Sequence, residues 1–394
     1  SRGNVNTPKS KYMSLKVLQV VGVMNRGGAE AMLMDILRNK PENVHFDFLI
    51  NNDPARLTDE GSFDKEILAY GCEMLHIGSQ LRLGPIKYIR QFMKVVRELQ
   101  PDVVHIHLNA KSGLIALAAK LGGVKKIIVH CHADIKFRGS LLSRIFNETE
   151  MWCQKWLIGW CATDFWGCSK EANLRLYRGK IYEKSLIVNN AISCEVYRTV
   201  TEDQWKALRQ SYNLPKDAVI LGNVGRIVPH KGIAHIVDVL AVLHKRKVNA
   251  HFVVAGRNDA VEYVENMMTH AKKLGVDSKI HFLGERADIP VVMHTFDVFV
   301  GPALREGFGL VAVEAQAAAV PCVLFKGFPK TVNMNLGLVS FVDDFNPVTW
   351  SDNIMQALAR KKVEKELILD VIRSMGFDAK ENAIKVCNAY TSKS

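Results

Sequence analysis

No run of about eighteen consecutive apolar residues occurs anywhere in the 394-residue chain, so no segment is expected to cross a bilayer. The residues after Met13 pass directly into a strand-like pattern, and nothing there reads as a secretory leader. Eight cysteines, at positions 72, 131, 153, 161, 168, 194, 322 and 387, are scattered without a C-x-x-C pair or a zinc spacing. That distribution predicts reduced thiols and a cytoplasmic setting, not a disulfide framework. A G-x-S-x-G elbow and a Walker loop are both missing, which removes the commonest hydrolase and P-loop readings. Repeats and low-complexity blocks are missing too. The opening stretch "SRGNVNTPKSKY" is polar and unpatterned, and is expected to lie outside the fold.

What is present is an ordinary globular composition, 48% hydrophobic and 23% charged, at a length that predicts two or three domains. A formal net charge of +12 points to an anionic partner. The basic residues are spread out and not interleaved with stacking aromatics, which disfavours nucleic acid and leaves a phosphorylated substrate or an acidic membrane surface.

Short apolar runs alternate with amphipathic stretches along the whole chain: "KVLQVVGV", "HFDFLI", "DVVHIHL", "KKIIVHCH" and "SLIVNNAI". After a polar, helix-like stretch through Leu208 the rhythm restarts with "DAVILGNVG", "AHFVVAG", "KIHFLGE", "FDVFVGP" and "VPCVLF". This predicts an α/β protein with two Rossmann-like, doubly wound parallel sheets. The expected domains are 13–195 and 196–376, with a C-terminal helix over 377–394. Asp378 and Glu381 have the spacing of a helix-start capping pair. Ligands of open parallel sheets bind beyond the carboxyl ends of the strands, so the expected site is a cleft between the two sets of strand ends.

Each candidate motif follows a predicted strand. In "GNVGRIVPHKG", Arg226 and Lys231 can place two cations on one anion, although two solvated turn charges are the simpler reading. In "REGFGLVAVEAQ", Gly307 and Gly309 permit close backbone approach, and the helix after them offers free N–H groups to a diphosphate. Glu306 in the turn suits sugar hydroxyls and Glu314 in the helix suits a ribose diol; a capping acid and a solvated acid remain the alternative. "NRGGAE" is a second glycine turn at a strand-to-helix junction, short of a dinucleotide fingerprint. The pairs His105/His107 and His130/His132 end two strands, and alternation places each pair on one face. Four histidines raise a metal site, with Asp134 as the one nearby acid, but no zinc-type spacing supports it. A polar cleft wall is the preferred reading.

Together these residues resemble the retaining glycosyltransferases of family 4, with the GT-B fold, over about Lys16 to Tyr390. The likeness is nearest to bacterial enzymes that build capsular or exopolysaccharide repeat units. It rests on "NRGGAE", the strand end at His132, "IVNNAI", "VGRIVPHKG" and "EGFGLVAVE", whose two glutamates are separated by seven residues. One departure is Asn-Ala in "VNNAI", where many relatives have Asn-Gly.

The resemblance implies that the first domain is acceptor-side and the second binds the nucleotide sugar. It assigns Arg226 and Lys231 to the donor diphosphate, Glu306 to the transferred sugar and Glu314 to the ribose. Phe308, Gly309 and Leu310 match the segment whose backbone meets the donor, and Gly28 the glycine loop beside the phosphates. His132 matches the histidine on the donor sugar, with His130 as its rival. No D-x-D motif is found, consistent with a family that needs neither metal nor other cofactor. The expected donor is a nucleotide-diphosphate sugar, UDP-sugar by default, with base contacts from the loop "LGERADI". The expected acceptor is a saccharide or lipid-linked saccharide, with peripheral contact to an anionic inner membrane face; "FRGSLLSRIF" (137–146) is a candidate contact, although an ordinary amphipathic helix with solvated arginines is the simpler reading. A nucleotide-sugar 2-epimerase of the same architecture is the alternative, and a non-catalytic sugar-nucleotide binding module a third reading.

Overall fold

The computed structural model describes residues 14–25, 27–52, 60–133, 135 and 140–392. The polar opening stretch, Asp134 and the first part of the 137–146 segment lie outside these residues. The chain divides into two compact units: one is the chain up to Asn190 together with Ala379 onward, the other Ala191–Asp378.

In the first unit seven parallel strands form one sheet among the described residues: β1 Leu15–Val21, β2 Val44–Asn52, β3 Met74–Gly78, β4 Val103–Ile106, β5 Lys126–Cys131, β6 Asp164–Gly167 and β7 Leu186–Ile187. Their order is β3-β2-β1-β4-β5-β6-β7. Period-two alternation feeds two cores: Val17 and Val21 of β1 enter one, Leu18 and Val20 the other. Burial on both faces is why these strands read as continuous apolar runs.

The second unit repeats the plan with six parallel strands: β8 Val219–Val224, β9 Ala250–Ala255, β10 Ile280–Gly284, β11 Val298–Gly301, β12 Cys322–Phe325 and β13 Val339–Val342. Their order is β10-β9-β8-β11-β12-β13, again with a core on each face. Both units are therefore doubly wound α/β sheets, as the rhythm of the sequence predicts.

Some elements differ from expectation. The strand expected over "SLIVNNAI" is only two residues long, Leu186–Ile187. The chain then leaves the sheet, and the Asn189 carbonyl accepts from Asn382 Nδ2 at 3.1 Å. β3, β6 and β13 carry no clear apolar signature and are additional to the sequence reading.

The helix Ala379–Thr391 belongs to the first unit although it follows the second in sequence. Ala383, Val386, Cys387 and Tyr390 are buried in the same core as Phe46, Phe48 and Trp166. Asp378, just before it, accepts the Cys194 N–H at 3.3 Å within the second unit. At the far end, buried Lys126 donates to the carbonyls of Ala389 at 2.7 Å and Ser392 at 2.6 Å. A cation there satisfies carbonyls that the helix leaves without intrahelical partners.

Replacing Lys126 with Met strands those two carbonyls and removes the cation 3.7 Å from the Asp164 carboxylate. The expected loss is about 1–3 kcal/mol of unfolding free energy in urea titration. An unchanged midpoint would mean that water serves these groups equally well.

Candidate functional site

A doubly wound sheet opens a crevice where its strand order reverses, because the connections on either side depart to opposite faces. In the first sheet that point lies between β1 and β4, and in the second between β8 and β11. The candidate motifs follow these strands.

In the second unit, the turn after β8 carries Arg226 and Lys231, and the loop after β11 carries Glu306. Gly232 has φ +69°, and a Cβ on it would meet the Pro302 carbonyl oxygen at 2.2 Å, so only glycine lets the two loops touch. Leu304 N donates to the His230 carbonyl at 2.9 Å and ties them further. The result is an ion pair: Lys231 Nζ lies 2.5 Å from Glu306 Oε2, with both side chains largely shielded from solvent. Arg226 is more exposed and reaches Asp259 at 3.5 Å, a carboxylate that also holds Arg257 at 2.6 Å. Burial, followed by the charges of Lys231 and Arg305, holds His230 below the usual imidazole range.

Gly309, at φ +72°, makes the left-handed turn into the helix Leu310–Ala317, which has no side-chain cap at its start. A side chain there would strike Val332 and Phe328. Phe308 and Leu310 pack at the edge of the core, Phe308 edge-on to Phe377 with centroids 5.9 Å apart. Glu314 is half-buried on the fifth residue of the helix. In the expected base loop, Arg286 is bonded to Asp288 at 2.7 Å and to Tyr212 Oη at 3.1 Å.

At the crevice of the first sheet lies a cavity of about 230 Å³, lined by Gly22, Glu30, His107, Asn109 and His132 among others. Gly28 opens the helix Gly28–Asn39 beside it, with open space where a Cβ would stand. Glu30 folds back over Gly27, where a Cβ would sit 2.3 Å from its Oε2. Burial raises this carboxyl group, partly offset by the hydrogen bond from its own backbone N–H.

The four histidines form a row on the sheet face covered by the C-terminal helix. Tyr390 Oη accepts from Gln19 Nε2 at 3.1 Å and bonds His105 Nδ1 at 2.8 Å. His105 Nε2 meets His130 Nδ1 at 3.0 Å. Gln19 Oε1 bonds His107 Nε2, and His107 Nδ1 bonds His132 Nε2, each at 2.8 Å. Because Gln19 Oε1 only accepts, His107 carries its proton on Nε2, and His132 must donate from Nε2. His132 therefore presents Nδ1 as an acceptor. Its backbone N–H is held by Asn109 Oδ1 at 2.7 Å.

This arrangement divides the histidines that the sequence reading takes together as a cleft wall. His105 and His130 are wholly buried, while His107 and His132 line the cavity. Ring nitrogens of His105, His107 and His130 lie within 4.8 Å of one another, a spacing that a metal ion can bridge. Both nitrogens of His105 and of His107 are already hydrogen-bonded, so a metal would have to break the row. Sequence reasoning missed Gln19, Asn109, Tyr390, His230 and Arg305 as parts of these sites. Asn109 carried a faint signal, a residue tolerant of its left-handed φ of 50° three positions past a strand end.

Two doubly wound sheets with polar crevices define a large class of nucleotide-handling enzymes, and comparison with known proteins narrows it. Residues 26–163 match the model for Glycosyltransferase Family 4, and 205–369 that for Glycosyl transferases group 1. EpsF of Bacillus subtilis (strain 168) is 31% identical over 388 residues, 95% of this chain and 96% of that protein. The UDP-Gal:alpha-D-GlcNAc-diphosphoundecaprenol alpha-1,3-galactosyltransferase of Escherichia coli is 24% identical over 373 residues, 91% of each chain. Anabaena HepE, solved in complex with UDP, superposes with a TM-score of 0.77 at 19% identity, covering 96% of this chain and all of that one. The chain belongs to glycosyltransferase family 4, and its two Rossmann-like domains are those of the GT-B fold.

The buried row predicts an acid-sensitive protein. Burial holds His132 down to about 4 and keeps His105, His107 and His130 well below their ordinary 6.5. Above about pH 6.5 these rings are neutral in both folded and unfolded chains and add no pH dependence. Below it the unfolded chain takes up protons that the folded chain refuses. Stability is then expected to fall by up to about 1.4 kcal/mol per pH unit for each histidine. Urea midpoints between about pH 7.5 and 5.5 read this out, against an opposing contribution from Asp35, whose carboxyl burial raises to about 6. A flat profile would mean that the rings are solvated.

Proposed function

We propose that this enzyme moves a sugar from a nucleotide-diphosphate sugar, UDP-sugar in the first instance, to a saccharide or lipid-linked saccharide in polysaccharide assembly. The transfer retains the anomeric configuration and uses no metal. The observation that carries this reading is the Lys231–Glu306 contact of 2.5 Å at the crevice of the second sheet. Arg226 stands on the same turn, and a helix start without a side-chain cap follows Glu306.

In this reading Arg226, Lys231 and the N–H groups at the start of Leu310–Ala317 take the donor diphosphate. Two cations and a helix terminus stabilise charge developing on a leaving phosphate, which is the work a metal would otherwise do. Once phosphate oxygens compete for Lys231, Glu306 is released to accept from hydroxyls of the transferred sugar. Glu314 accepts from the ribose diol, and the backbone of Phe308, Gly309 and Leu310 lies along the donor. Gly28 leaves the start of its helix open beside the phosphates. His132, neutral and with Nδ1 as an acceptor, takes a hydroxyl of the sugar. HepE solved with UDP and the Escherichia coli enzyme named for UDP-Gal support the choice of nucleotide. The diphosphoundecaprenol in the latter's name supports a lipid-linked acceptor. Retention, absence of metal and the polysaccharide setting rest on the family resemblance.

Thermal shift with UDP, GDP and ADP tests the donor: a ligand at a hundred times its Kd adds about 2.7 kcal/mol. The double variant R226A/K231A is expected to lose that shift and to lower kcat/KM by about 10²–10³-fold or more, with a still cooperative but lower apo melting transition, because Glu306 loses its partner. Turnover is expected to persist in a chelator. Intact turnover of the double variant removes the proposed diphosphate site. Epimer formed from donor alone, without acceptor, would make the enzyme an isomerase.

A further inference from the structure

His230 sits where the two loops of the second unit's crevice meet. It is the middle residue of the single turn Pro229–Lys231, which follows β8. The N–H groups of Lys231 and Gly232 close that turn onto the carbonyls of Val228 and Pro229, each at 3.0 Å. The His230 carbonyl accepts from Leu304 N–H at 2.9 Å, which clamps the residue against the loop after β11. Its backbone is thereby fixed from both loops, and its half-buried ring stands among the charges they carry.

Four charged groups act on that ring: Arg226 and Lys231 from its own turn, Arg305 and Glu306 from the loop after β11. Three of them are cations, and the one carboxylate is already engaged by Lys231 at 2.5 Å. In the free protein these surroundings oppose a proton on the imidazole. Burial removes water from the charged form, and Lys231, Arg305 and Arg226 repel it. A diphosphate held by Arg226 and Lys231 reverses the sign of the field at His230. It also changes what the ring has to offer. A neutral imidazole has one donor and one acceptor nitrogen, and the acceptor is unsuited to phosphate oxygens; a protonated ring has two donors.

We propose that His230 is a third cation of the donor site, neutral in the free enzyme and protonated as the diphosphate binds. This rests on the assignment of Arg226 and Lys231 to that diphosphate, and adds a titrating group to it. Donor capture then takes up a proton from solvent, and affinity rises as pH falls through the neutral range. The sign follows from linkage, because the complex binds more protons than the free enzyme. At high pH the ring is neutral in both states and contributes no charge.

The test is titration calorimetry of the purified chain at about pH 7 with UDP, GDP and ADP, each in two buffers of different ionisation enthalpy. For the nucleotide that binds, a net uptake of roughly half a proton is expected, from a rise of about one pKa unit in the complex. The nucleotide does not supply it: its terminal phosphate, with a second pKa of about 6, is mostly ionised there, and contact with cations drives release instead. H230Q is expected to bind the same nucleotide without uptake. The ratio of its Kd to the parent's cancels the nucleotide's own titration. That ratio is expected to approach tenfold at about pH 5.5 and to return to one by about pH 8.5. A role in shaping the turn alone would give a ratio independent of pH. Should H230Q melt below the parent, the parent's own proton count still decides, since it needs no variant. Nucleotide binding with no net uptake, uptake retained in H230Q, or a Kd ratio flat with pH overturns the proposal and leaves the diphosphate site standing. Failure of all three nucleotides to bind the parent removes the diphosphate site and this proposal with it.

Discussion

Everything functional in this protein follows from strands that all run the same way. A parallel sheet sends every connection leaving a strand's carboxyl end to one edge, and the change in winding direction opens a gap there. Short loops after β1, β4 and β5, and again after β8 and β11, thereby acquire neighbours far away in sequence. Lys231 and Glu306, 75 positions apart, come to 2.5 Å because their two loops leave adjacent strands and Gly232 lets them touch. In the proposed function, an anion arriving there finds Lys231 already in place and has only to displace Glu306 from it.

The first unit solves a different problem, which is how to hold a neutral imidazole in a fixed tautomer. Burial alone would keep His132 uncharged but would leave the position of its proton undetermined. The row through His107 and Gln19 fixes that position, since an amide oxygen can only accept. A low-dielectric surround strengthens each of these bonds and makes any missing partner costly. The same enclosure that, in the proposed function, prepares His132 for a hydroxyl is the reason the fold is expected to lose stability in acid.

Both sheets could be read from the sequence because strands buried on both faces are long apolar runs, as in "KVLQVVGV" and "AHFVVAG". β3 and β13 escaped because edge strands need less apolar character, and β6 because Asp164 and Gly167 leave only Phe165 and Trp166 as an apolar run. Motif residues at strand ends were legible wherever glycine marked the turn. Which histidine faces a cavity was not, because alternation places all four on one face and the covering residue is Tyr390, 285 positions beyond His105. The exposed tryptophans at 152, 156 and 160 went unread, because a stripe at that helical spacing is equally compatible with a core helix. Only the packing of Gln154 and Ile158 on the other side separates the two cases.

The helix Ala379–Thr391 has a consequence for how the molecule is made. A ribosome delivers the seven strands of the first unit long before it delivers the element that covers one face of their sheet. Until Tyr390 emerges, Gln19 and His105 lack their common hydroxyl, and Phe46 and Trp166 lack part of their cover. The second unit, contiguous from Ala191 to Asp378, is complete in the nascent chain while the first still waits. Birth order and completion order are thus inverted, and the earlier-born half is the one left for chaperones to guard.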